Sequence, residues 1–435
     1  MGQLLSQNGY VYSDMPEAAD LILVNTCSIR DKAEQKVYSL LGQLRELKEK
    51  NRHFRQIRIG VCGCVAQQEG RKIIERMPHV DLVLGTQQLY QLPALLDQLE
   101  KGELHHKVAL DLDANFAIPP FQQLLRETPT QKSSAVARPV QRYVNIMQGC
   151  NNFCSYCVVP YTRGREISRP LADILEEVEL LVAQGVREIT LLGQNVNSYG
   201  KTNRVADQAI TFPDLLRAVA LVQGLKRLRF TTSHPKDLDR GLIRCFAELE
   251  VLCPHFHLPV QSGSNQVLAR MNRGYSAEEY LAKVEELRRM RPDIALATDF
   301  IVGFPGESEQ DFVATIQLLQ DVRFHSSFSF KYSDRPQARS TGFADKIAED
   351  IKSERLARLQ QKQTEISLAW NIMLMHKKVE ILVEHISAQT GRGRSAANQV
   401  VHFQLQPGRS MPAVGDITHV LIEHAGPHSL RGIAQ

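Results

Sequence analysis

The sequence predicts an α/β protein in three parts: an N-terminal α/β domain, a (β/α) partial barrel, and a small C-terminal β-barrel. Three observations carry this. Between Leu21 and Leu84, short apolar runs alternate with amphipathic segments. Between Tyr143 and Tyr332 the same alternation recurs six times. From Lys377 to Gln435 the helical periodicity stops, and two-residue alternation broken by Gly and Pro replaces it. Strands alternating with helices make parallel sheets. Short strands with turn residues and no helices make a sandwich or barrel.

In the first part, Leu21-Ile22-Leu23-Val24-Asn25, Ile57-Arg58-Ile59-Gly60-Val61 and Val80-Asp81-Leu82-Val83-Leu84 read as buried strands, with a helix from Ala33 to Glu49 between the first two. Leu4 and Leu5, followed by Gly9-Tyr10, read as a helix end running into a turn; this is preferred to the short myristoylation pattern that Met1-Gly2 to Ser6 also fits. From Asp111 to Gln141, Pro119, Pro120, Pro129 and the serines around them dissolve the pattern, so the first domain is placed at 1–110 and a linker at 111–135. The middle domain, 136–370, offers strands at Tyr143 to Gln148, Glu188 to Leu192, Arg227 to Thr231, His255 to Val260, Leu296 to Val302 and Ser327 to Tyr332. Its clearest helix opens at Pro170 and closes at Gly185, with Leu171, Ile174, Leu175, Val178, Leu181 and Val182 on one face. A long charged helix spans Asp350 to His376. The last domain, 371–435, has strands at Val379 to Val383, Val400 to Gln404 and Ile417 to Ile422.

The 435 residues are 43% hydrophobic and 23% charged, an ordinary globular balance. No stretch reaches the roughly eighteen apolar residues of a membrane span, and no signal peptide opens the chain, so a cytoplasmic protein is expected. A net charge of +4 is too small to argue for nucleic acid by itself. Eight cysteines in a reducing compartment point to metal or chemistry rather than disulfides.

Gly149-Cys150-Asn151-Asn152-Phe153-Cys154-Ser155-Tyr156-Cys157 sets three thiols just past a strand. Three thiolates this close wrap one face of a 4Fe-4S cubane and leave its fourth iron without a protein ligand. S-adenosylmethionine (SAM) chelates such an iron through its amino and carboxylate groups and is cleaved by one electron to methionine and a 5′-deoxyadenosyl radical. Structural zinc, the plainer alternative, wants four ligands in paired spacings, and no fourth cysteine or histidine lies near. Cys-x3-Cys-x-aromatic-Cys, with Tyr156 as the aromatic, fits the radical-SAM signature.

Extended to Pro170, the segment GCNNFCSYCVVPYTRGREISRP closely resembles the MiaB-type tRNA methylthiotransferases. The resemblance covers nearly the whole chain, including Leu191 to Gly200, Thr231-Thr232-Ser233-His234-Pro235, His257 to Ser264 and Asp299 to Glu307. It implies methylthiolation at C-2 of N6-isopentenyladenosine, position 37 of tRNA, beside the anticodon, using SAM and two 4Fe-4S clusters. It implies Cys150, Cys154 and Cys157 as ligands of the radical cluster. It implies SAM contacts from Gly193, Gln194 and Asn195 at the methionine end, Gln261 and Ser262 at the ribose, and Ile301 and Gly303 at the adenine. It further implies a C-terminal TRAM domain that binds RNA, where Arg392 and Arg394 of Gly391-Arg392-Gly393-Arg394-Ser395 sit on a turn that meets phosphate. The anticodon stem-loop of tRNA is the expected partner, with an electron donor such as flavodoxin or ferredoxin, and a monomer is expected.

The chain also departs from this pattern. Cys27 and Cys64 match two of the three cysteines that hold the family's second cluster, but the first, with its strand, has no counterpart after Met1. Cys62 is a possible substitute, but it belongs to the strand itself; a late start is the preferred reading. Cys245 and Cys253 match no motif and read as structural. Two alternatives remain beside the main reading: the same chemistry on a ribosomal protein side chain, and an RNA-binding iron–sulfur protein without catalysis.

Overall fold

The computed structural model describes residues 1–27, 32–103, 106–113, 116–121, 140–202, 210–405 and 412–435. Most of the expected linker lies outside the described residues.

The N-terminal domain is a four-stranded parallel sheet in sequential order: β1 (Leu21–Asn25), β2 (Arg58–Cys62), β3 (Leu82–Leu84) and β4 (Lys107–Ala109). Alternation along β2 sends Ile59 and Val61 to one face, where the helix Lys32–Asn51 covers them with Val37, Leu41 and Leu44. Cys62, Leu82 and Leu84 meet the helix Leu92–Glu100 on the other face, with Leu5 and Tyr10 packed at the rim. Just before β3, the Asp81 carboxylate turns in. It accepts from Ile59 N (2.8 Å) and pairs with Lys48 (2.7 Å) and Arg58 (3.3 Å).

The middle domain has six parallel strands: β5 (Gln141–Asn145), β8 (Glu188–Leu192), β9 (Arg227–Phe230), β10 (His255–His257), β11 (Ala295–Val302) and β12 (Ser326–Lys331). They form two three-stranded sheets, joined edge to edge by the bridge Leu228–Leu252. A two-stranded ribbon, β6 (Met147–Gln148) with β7 (Ile167–Ser168), flanks the first sheet. Ile189, Leu191, Leu228, Phe230, Phe256, Leu296, Phe300 and Val302 point outward into one core shared with the surrounding helices. The alternate residues therefore line the concave face. The helices start where the chain caps them: Thr211, Ser276 and Ser308 each close a capping box. The long helix Glu349–Ile372 packs on β12.

The C-terminal residues form a closed five-stranded barrel: β13 (Lys378–Ser387), β14 (Thr390–Ser395), β15 (Val400–Leu405), β16 (Ile417–Ala425) and β17 (Ser429–Ala434). Here the structure corrects the sequence reading: Gly391 to Ser395 is not a turn but all of strand β14 after Thr390. Gly391 and Gly393 point inward because nothing larger fits: a Cβ would lie 2.1 Å from the Phe403 ring at the first and 2.3 Å from the Leu382 carbonyl at the second. Arg392 and Arg394 point outward and share Glu384, at 3.8 and 3.0 Å.

The barrel is clamped to the start of β9. Arg227 donates to the Arg394 carbonyl (2.6 Å) and pairs with Glu380 (3.0 Å), while Arg229 donates to the carbonyls of Ser395 and Ala396 (both 2.8 Å). Among the described residues no helix is long and apolar enough to cross a membrane.

Candidate active site

The three-cysteine loop leaves β6 through Gly149, whose φ of +79° and approach to the Arg165 carbonyl leave no room for a side chain. Cys154 is buried; Cys150 and Cys157 are partly so. Burial pushes the Cys150 thiol up to about 11 and, with repulsion from Cys154 next, the Cys157 thiol up to about 12. Neighbouring thiols of this kind ionise together only against positive charge. That charge is already partly supplied. Arg273 places Nη1 3.2 Å from Cys154 Sγ, and Val159 N donates to Cys157 Sγ at 3.4 Å. His234 Nδ1 accepts from Lys236 N (3.2 Å), so its Nε2 carries the proton and faces Cys154 Sγ at 3.9 Å. Burial, then the Arg273 charge, depresses His234 to about 2, which keeps the ring neutral.

Among the described residues no three His, Cys, Asp or Glu side chains form a donor set for one metal ion. The loop's thiols are neighbours: beyond burial, both Cys154 and Cys150 push the Cys157 thiol up. Beside them, Asn195 Oδ1, Ser233 Oγ, Glu166 Oε1 and, deeper on the concave face, Thr190 Oγ1 are buried without hydrogen-bond partners among the described residues. Leaving such groups bare costs about 1–3 kcal/mol each, so the cleft suits a ligand bearing ammonium, carboxylate and hydroxyl groups.

The residues expected around that ligand all fall at C-terminal strand ends on the side of the cysteine loop, where α/β barrels carry their chemistry. Gly193 follows β8 and lies so close to Met147 that a Cβ would sit 2.4 Å from its Cγ. Gln194 Oε1 accepts from Gly149 N (2.7 Å), holding the cysteine loop itself. Asn195 donates to Asp237 (2.7 Å) and keeps its Oδ1 bare. Gln261 has φ +77° and bridges to Phe300. The Ser262 hydroxyl is turned toward Thr315 (3.2 Å), away from the cleft. Ile301 packs, with Tyr156, against Phe304 and Met271. Gly303 N donates to Glu307 (2.6 Å), and its missing side chain makes room for Lys352. Arg273 and Glu166 were not foreseen. Their partners are remote in sequence, and only Glu166, inside the resembling GREISRP segment, carried any local signal.

In the N-terminal domain, Cys27 and Cys64 follow the adjacent strands β1 and β2, which end in register at Asn25 and Cys62. Thr26 N donates to the Cys62 carbonyl (3.2 Å) and Val65 N to the Thr26 carbonyl (3.2 Å), drawing the two loops together. Cys27 is exposed and Cys64 buried at the start of the helix Cys64–Glu69. Cys62 points the other way, into the apolar core with Leu82 and Leu92, and burial raises it to about 12. The Cys64 helix packs on the helix Val159–Arg163, which begins two residues after Cys157. Both cysteine sets thus border one interface.

A partial (β/α) barrel with three cysteines at its open end defines a radical SAM enzyme. The radical SAM superfamily pattern matches residues 144–319, and uncharacterized protein family UPF0004 matches residues 1–85. Among curated proteins, the tRNA-2-methylthio-N(6)-dimethylallyladenosine synthase of Desulfotalea psychrophila is 51% identical over 99% of this chain and 94% of its own length. Those of Syntrophobacter fumaroxidans and Geobacter sulfurreducens are 47% and 46% identical, over 99% of this chain and 91% and 92% of theirs. The chain belongs to the tRNA-2-methylthio-N(6)-dimethylallyladenosine synthases. It is a radical SAM tRNA methylthiotransferase that works with SAM and two 4Fe-4S clusters. Among solved structures, the radical SAM methyltransferase TsrM of Kitasatospora setae shares the fold (TM-score 0.53, 17% identity, 74% of this chain and 63% of that one).

Proposed function

We propose that Cys150, Cys154 and Cys157 hold the radical cluster, and that Cys27 and Cys64 serve the second, sulfur-donating one. The contact of the Cys64 helix with the Val159–Arg163 helix carries this reading, because sulfur handed to a substrate radical must travel a short way. When bound, the cofactors supply a one-electron cleavage of SAM and a methyl group. The chain's own residues do the rest. Gln194 and Gly149 fix the cysteine loop; Asn195, Ser233 and Glu166 offer bare oxygens to the polar end of SAM; Gln261, Ile301 and Gly303 flank its nucleoside, with Ser262 shaping the turn behind them.

The substrate is an adenosine at position 37 of the anticodon stem-loop, which leaves its stack to reach the concave face. That face presents Tyr143 on the first strand and Phe328 on the last, 62% and 58% exposed, with His257 hydrogen-bonded to Asp299 (3.0 Å) between them. Exposed aromatics on the concave face suit a splayed base. Arg392, 53% exposed, keeps reach for phosphate on the barrel surface, whereas Arg394 is more closely engaged with Glu384. A flavodoxin or ferredoxin supplies the electron to a monomeric, cytoplasmic enzyme. An anaerobic assay with reconstituted clusters, SAM, reductant and an isopentenylated anticodon stem-loop tests this by nucleoside mass spectrometry. The 2-methylthio product is expected; a thiomethylated protein with unmodified RNA would overturn the substrate.

A further inference from the structure

Five arginines are buried among the described residues: Arg169, Arg227, Arg229, Arg273 and Arg355. Four have a carboxylate. Arg169 pairs with Asp173 and Glu177, Arg227 with Glu380, Arg229 with Glu188, and Arg355 with Glu307, all at 2.6 to 3.1 Å. Arg273 has none within ion-pair distance among the described residues. Its Nη2 donates to the Pro259 carbonyl (2.7 Å) and its Nε to the Tyr275 hydroxyl (2.9 Å), with the Tyr275 ring 5.3 Å from Cζ. Its Nη1 is aimed at Cys154 Sγ (3.2 Å) and Tyr156 OH (3.3 Å).

A guanidinium does not give up its proton in a protein, and a buried cation without an anion is costly. Nε and Nη2 hold this cation still, and Nη1 is directed at a sulfur and a tyrosine hydroxyl. We infer that Arg273 is the fixed counter-cation of the Cys154 thiolate, and that it sets the reduction potential of the cluster held there. This rests on the reading of Cys154 as a cluster ligand. A permanent positive charge, 3.2 Å from a ligand sulfur and shielded from solvent, stabilises the reduced cluster more than the oxidised one, because the reduced form carries one more negative charge. The potential rises accordingly, and salt does not screen the effect. Arg273 is a positioning and tuning residue: it acts through Cys154, not on the substrate.

The test is potentiometric EPR of the full chain in a Cys27→Ala/Cys64→Ala background, which isolates one cluster, with Arg273→Lys and Arg273→Gln compared. Expected is a midpoint potential shifted negative in Arg273→Gln and restored toward the parent in Arg273→Lys, both unchanged by added salt. Equal potentials in Arg273→Gln and the parent, at equal iron content, would overturn the inference. If Arg273→Gln takes up no iron, thermal unfolding of the cluster-free proteins decides. Stability equal to the parent's, with iron retained by Arg273→Lys, assigns the residue to the cluster; an unfolded Arg273→Gln assigns it to the fold and sinks the inference. A parent background that binds no cluster would instead remove the ligand reading beneath it.

Discussion

The hydroxyl of Thr86 donates to the carbonyl of Thr162 at 2.6 Å, both residues buried, across the seam between the N-terminal domain and the partial barrel. Thr86 follows β3 beside the Cys64 helix, and Thr162 lies in the short helix that follows Cys157. One hydrogen bond therefore helps set how the two cysteine-bearing ends face each other.

Thr86→Val removes the donor and leaves a buried carbonyl bare, at about 1–3 kcal/mol. The damage falls on the seam and not on either cysteine loop. The expected result is a several-fold drop in methylthio product per 5′-deoxyadenosine formed, with SAM cleavage itself nearly unchanged. Parallel assays of both products check this; an equal fall in both would remove the seam from the sulfur-transfer step.

Cys62 and Cys64, two residues apart, are expected to behave oppositely. Cys62 is sealed between Leu82 and Leu92, whereas Cys64 heads the helix at the seam. Cys62→Ala should leave iron content at the parent level and cost roughly 1 kcal/mol of stability from lost burial. Cys64→Ala should lower bound iron while unfolding near the parent temperature. Iron analysis of the two purified variants separates them; loss of iron in Cys62→Ala would make it the substitute ligand after all.

The six strands of the partial barrel were legible because apolar residues recur in short runs or at alternate positions between turn residues, as in Arg227-Leu228-Arg229-Phe230, and a helix follows most of them. Strand β14 was not, since its glycines read as a turn. The alternation Gly391-Arg392-Gly393-Arg394 was a period-two signal, but small residues were filling the inward positions instead of large ones, for lack of space beside Phe403. The cysteine loop was legible for the opposite reason: its chemistry is packed into eight neighbouring residues. Arg273, 119 residues from Cys154, and Thr86, 76 from Thr162, meet their partners only through the fold.

Glu166 gives the site a pH dependence. Its carboxyl is raised to about 7, chiefly by burial and against a hydrogen bond from Ser198. A carboxyl raised on folding favours the native state while it is protonated; that contribution is full below its ordinary value near 4.5 and fades as pH rises through about 7. At about 1.4 kcal/mol per pH unit, the span is worth roughly 3 kcal/mol. Glu166→Gln, neutral throughout, should flatten the stability profile of the cluster-free protein between about pH 4.5 and 7, the span over which folded and unfolded states differ in protons bound here. Denaturant unfolding across that interval checks it, and an unchanged slope would show that Glu166 ionises normally.

The aromatic walls of the concave face make the last prediction. Tyr143 and Phe328 sit on the two edge strands, each flanked by a strand on one side only; Phe328 also meets the His257 ring edge-on at 6.3 Å. Large aromatic side chains left this exposed gain from stacking on a flat ligand, and base stacking on an aromatic is worth about 1–3 kcal/mol. Phe328→Ala and Tyr143→Ala should therefore raise KM for the isopentenylated stem-loop by roughly 5- to 150-fold, while Tyr143→Phe, which keeps the ring, stays near the parent. SAM cleavage in the absence of RNA should not change, because a stacking contact acts only once RNA is bound. Steady-state kinetics on the three variants decide between stacking and hydrogen bonding: a Tyr143→Phe defect as large as that of Tyr143→Ala would assign the contact to the hydroxyl, and unchanged KM in both alanine variants would place the base elsewhere.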